Sequence, residues 1–300
     1  RIDYSNDTAT AVEKGPLSET RQKSGATGNN SFGYFGGGYA PDDRSTVYRV
    51  DYSNDTATTS PKGPLTSNRA QHAAASARAH GFVPIGPSVV SNAAAIAGSF
   101  NPTTVGFFAG GYNSSGELSI VDRIDYSNDT ATALSLANLS FSAWSVSGTG
   151  NSFFGYFIGG ETFPSPIYST INRVDYSNDT LSSSVSPLPI ARSSVGATGN
   201  KNFGYVGGGR TPSNISTVDR IDYSNDATAA SPKGPLSLAR AEIAAVGNQS
   251  FGYFCGSGGL TSPKVSTIDR VDYSNDTAAA VAKGPLGSAK GAGGATGNAD

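Results

Sequence analysis

The string Arg-(Ile/Val)-Asp-Tyr-Ser-Asn-Asp occurs six times, beginning at Arg1, Arg49, Arg123, Arg173, Arg220 and Arg270. The intervals are 48, 74, 50, 47 and 50 residues. A period of that length marks an array of like units, each too small to bury both faces of its own sheet. Two further strings keep the period. Phe32-Gly33-Tyr34-Phe35-Gly36-Gly37-Gly38 recurs around Phe107, Phe154, Phe203 and Phe251, which makes five copies. Lys-Gly-Pro-Leu stands at 14–17, 62–65, 233–236 and 283–286, with Pro187-Leu188 as a degenerate copy. Four residues past the leucine come Arg21, Arg69, Arg192, Arg240 and Lys290, and Ser140 reads as their equivalent in the third unit.

Each unit reads as four short strands. Strand A follows the cation and is built from small residues, as at 193–198. A Gly-Asn turn, such as Gly199-Asn200, leads into strand B, the Phe-Gly-Tyr-Phe stretch ending in Gly-Gly. Strand C runs into Arg-Ile-Asp-Tyr, whose β-branched and aromatic residues suit a pleated surface. Its alternation puts Ile2 and Tyr4 on one face and Arg1 and Asp3 on the other. Strand D is the Thr-Ala stretch, stopped by Gly-Pro. Helical periodicity is absent apart from an Ala-rich segment at 70–79.

This order of a hydrophobic strand, Gly-Gly, a variable loop, Tyr with a polar turn, then Pro-Leu and Arg resembles the kelch repeat. Phe203-Gly204-Tyr205-Val206-Gly207-Gly208 and the segment from Arg220 to Asp226 carry the likeness. The tryptophan that the pattern places after the polar turn is replaced by Thr-Ala-Thr. The resemblance implies one all-β domain over residues 1–300: a six-bladed kelch-like β-propeller of four-stranded antiparallel blades. Units begin near 1, 21, 69, 140, 192 and 240. Strands A, C and D number six each and strand B five, so the last blade is expected to be closed by N- and C-terminal strands, from 1–20 and 287–300, without its own B strand. A longer array is the alternative.

Composition narrows the function. Lys plus Arg is 21 and Asp plus Glu 23, so the net charge of −2 argues against a general nucleic-acid partner. No apolar run approaches the roughly 18 residues of a membrane helix, so membrane insertion is not expected. Glycine at 38 residues and aromatics at 10% describe a chain with rings to bury and turns to make. Cys255 is the only cysteine, and His72 and His80 are the only histidines; both histidines fall in the unit from 69 and Cys255 in the unit from 240. That scatter disfavours a copper centre or a nucleophilic triad. The acids Asp42, Asp43, Glu117, Glu161 and Glu242 form no motif. No cofactor and no metal is expected. The sequence lacks methionine and reads as a processed product or a fragment.

Asp3, Ser5 and Asp7 have the alternate spacing of a calcium loop, but the distal glutamate position falls on Lys14. A hairpin turn in which Asn and Asp bond their own backbone is the favoured reading. The same string gives Asn-Asp-Thr sequons at Asn6, Asn54, Asn128, Asn178 and Asn275. The Arg and Asp two apart on strand C are read as charge-assisted ties between blades. The cations Arg21, Arg69, Arg192, Arg240 and Lys290 match the kelch arginine that anchors the D–A turn; a ring of cations binding an anion is the alternative. Trp144 and Cys255 are read as core.

Two regions differ between copies. The B–C loops carry Tyr39, Asp42, Asp43, Arg44, Tyr112, Glu117, Phe163, Tyr168, Arg210 and Lys264, and recognition on a rigid scaffold lives in such loops. The second unit has an insertion at about 78–102 with Phe82, Val83, Ile85, Val89, Ile96 and Phe100, apolar enough to dock a partner. The leading expectation is a non-enzymatic structural or adhesive module whose partners are other structural proteins, copies of itself, or a cell-surface glycan. Such Ser/Thr/Asn/Gly-rich arrays resemble repeat proteins of marine bacteriophage virions, such as tail or fibre components, which implies a virion or extracellular location. A secreted carbohydrate-binding propeller, with Tyr39, Tyr112, Phe163 and Tyr168 stacking on sugars, is the alternative. A hydrolase or oxidoreductase ranks third.

Overall fold

Each B string builds one four-stranded antiparallel sheet at the centre of its repeat. The computed structural model describes residues 1–76, 104–259, 262–291 and 293–297. The first blade is β1 (Gly25–Gly28), β2 (Phe32–Gly36), β3 (Val47–Asp51) and β4 (Ser60–Lys62). The second is β5 (Ala73–Ser76) and β6 (Val105–Ala109), a small loop hairpin of β7 (Tyr112–Asn113) and β8 (Gly116–Glu117), then β9 (Val121–Asp125) and β10 (Leu134–Ser135). The third is β11 (Ser147–Gly150), β12 (Phe154–Ile158), β13 (Ile171–Asp175) and β14 (Thr180–Val185). The fourth is β15 (Gly196–Gly199) and β16 (Phe203–Gly207), the hairpin β17 (Arg210–Thr211) and β18 (Ser213–Asn214), then β19 (Val218–Asp222) and β20 (Ser231–Lys233). The fifth is β21 (Ala244–Gly247), β22 (Phe251–Gly259), β23 (Ser262–Asp272) and β24 (Val281–Ala282). The arrangement is an all-β, propeller-like set of antiparallel blades.

The register is the same in every blade. Tyr34 faces Arg49, Phe107 faces Arg123, Tyr156 faces Arg173, Tyr205 faces Arg220 and Tyr253 faces Arg270. A one-residue slip would reverse every side chain, so this constancy is what lets neighbouring blades present matching faces. The A strands β1, β5, β11, β15 and β21 pack against one another at the inside. Their small residues are obligatory there: a Cβ added at Gly148 would lie 2.2 Å from the Ala74 carbonyl oxygen.

The described residues form five four-stranded sheets, not six. The physical reason is the count of B strings. Strand B is hydrogen-bonded on both sides, and without it the A-like and C-like segments have nothing to bridge them. Residues 1–20 and 287–297 accordingly contain no strand among the described residues. They nevertheless make specific contacts. Tyr4 stacks on Tyr253 with ring centroids 5.2 Å apart, and the Gly284 N–H donates to the Asp7 carbonyl at 2.9 Å. Thr296 Oγ1 donates to the Thr27 carbonyl at 3.0 Å.

One device joins successive blades. The last aspartate of Asp-Tyr-Ser-Asn-Asp accepts hydrogen bonds from the preceding blade. Asp276 takes Tyr205 at 2.9 Å, Arg220 at 2.7 Å and Lys233 at 3.4 Å. Asp129 likewise takes Tyr34, Arg49 and Lys62 at 2.9, 2.8 and 3.2 Å. The strand-C arginine therefore does tie blade to blade, but not through the aspartate two residues on. That one, such as Asp51, accepts from Ser53 N and Oγ within its own turn, at 2.9 and 2.7 Å. The string thus forms the expected turn, a 3₁₀ turn at Tyr52–Asn54, Tyr126–Asn128 and Tyr273–Asn275.

The D–A arginines are buried and paired. Arg69 meets Asp122, Arg192 meets Asp219 at 2.5 Å and Arg240 meets Asp269 at 3.1 Å, each on strand C of the blade it introduces. In the third blade the equivalent residue is Ala143, not Ser140. The Gly111 N–H donates to the Ala143 carbonyl just as Gly160 and Gly209 donate to Arg192 and Arg240, at 2.8, 3.3 and 2.9 Å. Ser140 is instead the counterpart of Thr66 and Ser237, whose amides bond the strand-C carboxylate.

Candidate functional site

At the position two past Arg21, Arg69, Ala143, Arg192 and Arg240 the backbone turns left-handed. Lys23, Gln71, Ser145, Ser194 and Glu242 have φ of 63°, 51°, 55°, 57° and 54°. Non-glycine residues seldom hold that region unless their surroundings enforce it. Here the enforcement is a belt of backbone hydrogen bonds running from blade to blade. The Gln71 N–H donates to the Lys23 carbonyl at 2.9 Å and that of Ser145 to Gln71 at 2.8 Å. The Ser194 N–H donates to Ser145 at 3.2 Å and that of Glu242 to Ser194 at 2.8 Å. Five copies of one framework position thus meet around the axis, and their side chains differ.

Above the belt lies a cavity of about 620 Å³, within the size range of ligand sites. Its floor includes Lys23, Gln71, Ser194 and Glu242, and its wall includes Tyr112, Trp144 and Phe163. Glycine pairs place the wall. Gly110-Gly111 and Gly208-Gly209 have φ of 69°, 99°, 64° and 96°, turning the chain off strand B toward the axis. Added Cβ atoms at Gly111 and Gly209 would meet the Ala70 and Ser193 carbonyls at 2.7 Å, so larger residues would push the loops off the belt. Beneath, a channel of about 90 Å³ passes between the A strands, lined by residues such as Thr27, Ala75, Thr149, Ala197, Val246 and Thr296.

The cavity mixes aromatic faces with charge. Tyr112 meets Trp144 edge-on at 6.0 Å. The Lys23 ammonium lies 5.7 Å from the Tyr112 ring, and the Arg210 guanidinium 5.7 Å from the Trp144 ring. Arg210 is also paired with Glu161, which fixes its plane. Glu117 Oε1 accepts the Phe163 N–H at 3.1 Å and so ties two wall loops together. Burial pushes the Glu242 carboxyl above its ordinary value, although Lys23 and Arg210 pull the other way. Such a site offers ring faces, cationic donors, amides and carboxylate acceptors to a polar ligand with some apolar surface.

The B–C and D–A loops share one face. Of the candidate residues, Tyr112, Glu117, Phe163, Arg210 and Lys264 line the cavity. Tyr39, Asp42, Asp43, Arg44 and Tyr168 do not. Tyr39 is on an exposed turn bridged to Gln22 and Asp43. Arg44 pairs with Glu19 at 3.1 Å. Burial, with Asp42 alongside, raises the Asp43 carboxyl. Tyr168 stacks on Phe141 at 4.2 Å against the core. The insertion residues Phe82, Val83, Ile85, Val89, Ile96 and Phe100 lie outside the described residues.

Trp144 is a correction: it lines the cavity instead of the core. Cys255 is buried, and burial pushes its thiol up to about 12. His72 is buried beside Phe108 with its imidazole pKa depressed to about 3, so it is neutral. The belt residues were missed because Lys23, Gln71, Ser194 and Glu242 look like ordinary loop polars. The usable signal was their divergence at one fixed offset from a repeated cation.

The described residues form a propeller-like scaffold with an axial cavity. No known family model matches the chain, and no curated protein sequence matches it.

Proposed function

We propose that this chain is a non-enzymatic, adhesive binding module that receives a surface glycan in the axial cavity. The observation that carries the reading is the placement of variation. The five units repeat their framework closely, yet the belt position reads Lys23, Gln71, Ser145, Ser194 and Glu242, and the walls add Tyr112, Trp144 and Phe163. Sugar rings carry apolar C–H faces that lie on aromatic rings and hydroxyls that bond charged and amide groups, and the cavity supplies both kinds of partner. The resemblance of the repeat to kelch repeats and to virion fibre proteins favours a place for this module in a structural assembly.

The same reading takes the ring as six sectors, the sixth assembled from residues 1–20 and 287–297. Asp7 accepts Tyr253, Arg270 and Lys283 at 2.9, 2.8 and 3.3 Å, as Asp276 accepts its own three donors. Thr296 meets the Tyr52 hydroxyl at 3.0 Å, as Thr27 meets Tyr126 at 2.9 Å.

A glycan array tests the module. Residues 1–300 should bind a restricted set of glycans, and Trp144→Ala should remove that binding by tenfold or more. An array with no signal, or binding untouched by Trp144→Ala, would overturn the assignment.

A further inference from the structure

The charges lining the axial cavity are unequally engaged, and the difference names the class of sugar, an inference that rests on the glycan reading above. Lys23, Arg210 and Lys264 stand there with Glu117 and Glu242. Glu117 is committed, since its Oε1 accepts the Phe163 N–H at 3.1 Å. Arg210 is committed in part: Nη2 pairs with Glu161, and Nε donates to Ser193 Oγ at 3.4 Å. Lys14, Lys62, Lys233 and Lys283, outside the cavity, each pair with a turn aspartate at 3.0 to 3.4 Å. Lys23 and Lys264 have no ion-pair partner among the described residues.

Lys23 is the better placed of the two. Its ammonium lies 5.7 Å from the Tyr112 ring, Tyr112 meets Trp144 at 6.0 Å, and the Arg210 guanidinium stands 5.7 Å from the Trp144 ring. Four distant segments thus supply one row, with aromatic rings inside and a cation at each end. Two carboxyls act on the Lys23 charge, Asp43 and Glu242, and neither forms an ion pair with it among the described residues. Both are raised from their ordinary values, Asp43 by burial with Asp42 alongside and Glu242 by burial with Glu161 adding. A carboxylate that neutralised Lys23 at contact would be lowered instead. The positive charge at Lys23 is therefore not offset by a contact in the fold, and it sits in a recess where an ionic contact is stronger than in open water.

We propose that the cavity selects an acidic sugar, whose carboxylate or sulfate is held by the Lys23 ammonium while its ring lies against Tyr112 and Trp144. A sugar that rests its C–H face on an aromatic ring projects its substituents at the rim, which is where the cation stands. The contact is a charge-assisted hydrogen bond, stronger than the bonds a neutral hydroxyl makes to the same ammonium. Arg210 and Lys264 add to the positive field, and Gln71 and Ser194 are left for hydroxyls. The belt fixes the base of Lys23, because its carbonyl accepts the Gln71 N–H at 2.9 Å.

The probe is an array on which each acidic glycan stands beside its neutral parent: sialylated and desialylated chains, hexuronates and their carboxyl-reduced forms, sulfated and unsulfated galactosides. Acidic members should bind roughly tenfold more tightly than their parents, the effect of one hydrogen bond to a charged group. Carboxylate and sulfate pairs, scored apart, show which anion supplies it. The best acidic binder and its parent are then titrated into two variants by calorimetry. Lys23 and Gln71 share one belt position, at φ of 63° and 51°, as Glu242 and Ser194 do at 54° and 57°. Lys23→Gln and Glu242→Ser therefore introduce side chains that the framework already carries there. Lys23→Gln should bring the acidic glycan down to the level of its parent and leave the parent unchanged, and Glu242→Ser should widen the gap between them. Equal binding of acidic and neutral members, a preference that survives Lys23→Gln, or a gap that Glu242→Ser narrows would overturn the proposal and leave the glycan reading in place. An array with no signal at all would remove both.

Discussion

Ala143 stands where three other blades carry a buried arginine, and Asn172 stands where those blades carry its aspartate partner. The Ser140 N–H still finds its acceptor in Asn172 Oδ1, at 3.0 Å. Both charges have been lost together. A buried ion pair is costly to desolvate, but half of one is worse, because the remaining charge has no compensation. The third blade therefore shows what a charge-free version of this corner looks like. The first blade shows another. Tyr48 replaces the aspartate, Arg21 lies over its ring at 4.4 Å, and Glu19 takes the salt bridge at 2.8 Å.

This relationship predicts a double-mutant result. Arg192 and Asp219 are both buried, and burial lowers the arginine pKa and raises that of the aspartate. Asp219→Asn alone should cost about 3–5 kcal/mol in denaturant unfolding, because Arg192 keeps its charge in an apolar corner. Adding Arg192→Ala, which copies the third blade, should recover part of that loss despite the cavity it opens. Losses that simply add would show that the two residues are not coupled.

The inter-blade aspartates set the acid limit. At Asp7 and Asp129 burial pushes the carboxyl up, but hydrogen bonds from tyrosine, lysine and arginine outweigh it and leave the pKa below the ordinary 3.8. At Asp55 the bond from Lys14 leads, and the pKa is again lowered. A group with a depressed folded pKa contributes stability above its unfolded pKa and loses it as pH falls through the folded value. Unfolding midpoints should therefore hold between about pH 7 and 5 and drop below about pH 4. Asp129→Asn should lower the plateau and shallow the acid fall. An acid fall identical to that of the parent would contradict this assignment.

The glycine of Lys-Gly-Pro-Leu is fixed by contact. A Cβ at Gly63 or Gly234 would lie 1.7 or 1.8 Å from the carbonyl oxygen of Ala131 or Ala278 in the next blade. Gly287, the residue just after the last copy of that string, has its nearest neighbour at 3.4 Å. Gly234→Ala should destabilise by about 2 kcal/mol or more, whereas Gly287→Ala should stay within about 1 kcal/mol. Equal effects in thermal unfolding would show that the blades separate easily at this point.

What the sequence made legible follows from what recurs in it. The strand order, the Gly-Gly turns, the Asn and Asp turns and the shared loop face all rest on short strings that repeat. The number of sheets follows the five B strings and not the six C strings, because Arg1-Ile2-Asp3-Tyr4 has the sequence of a strand and lacks the neighbour that would make it one. The Ser140 assignment failed because the third unit lacks Pro-Leu and offers two leucines, Leu136 and Leu139; it is the Leu139 N–H that bonds the Ser119 carbonyl, as those of Leu65, Leu188 and Leu236 bond Ser45, Ser169 and Ser216, which places Ala143 at the corner. Trp144 read as core because apolar residues usually are. Its position beside a left-handed residue, on a belt built from five distant segments, is a fact of closure and has no local signature. The same holds for Glu242 and Lys23, separated by most of the chain and brought to one cavity floor.

The most direct measurement of the central claim is amide hydrogen exchange on residues 1–300, with and without the glycan selected on the array. Binding in the axial cavity predicts added protection at Lys23, Gln71, Ser145, Ser194 and Glu242 and in the hairpin from Tyr112 to Glu117, with the Asn turns at Asn29, Asn151, Asn200 and Asn248 unchanged. Protection confined to those Asn turns, on the other end of the strands, would contradict it.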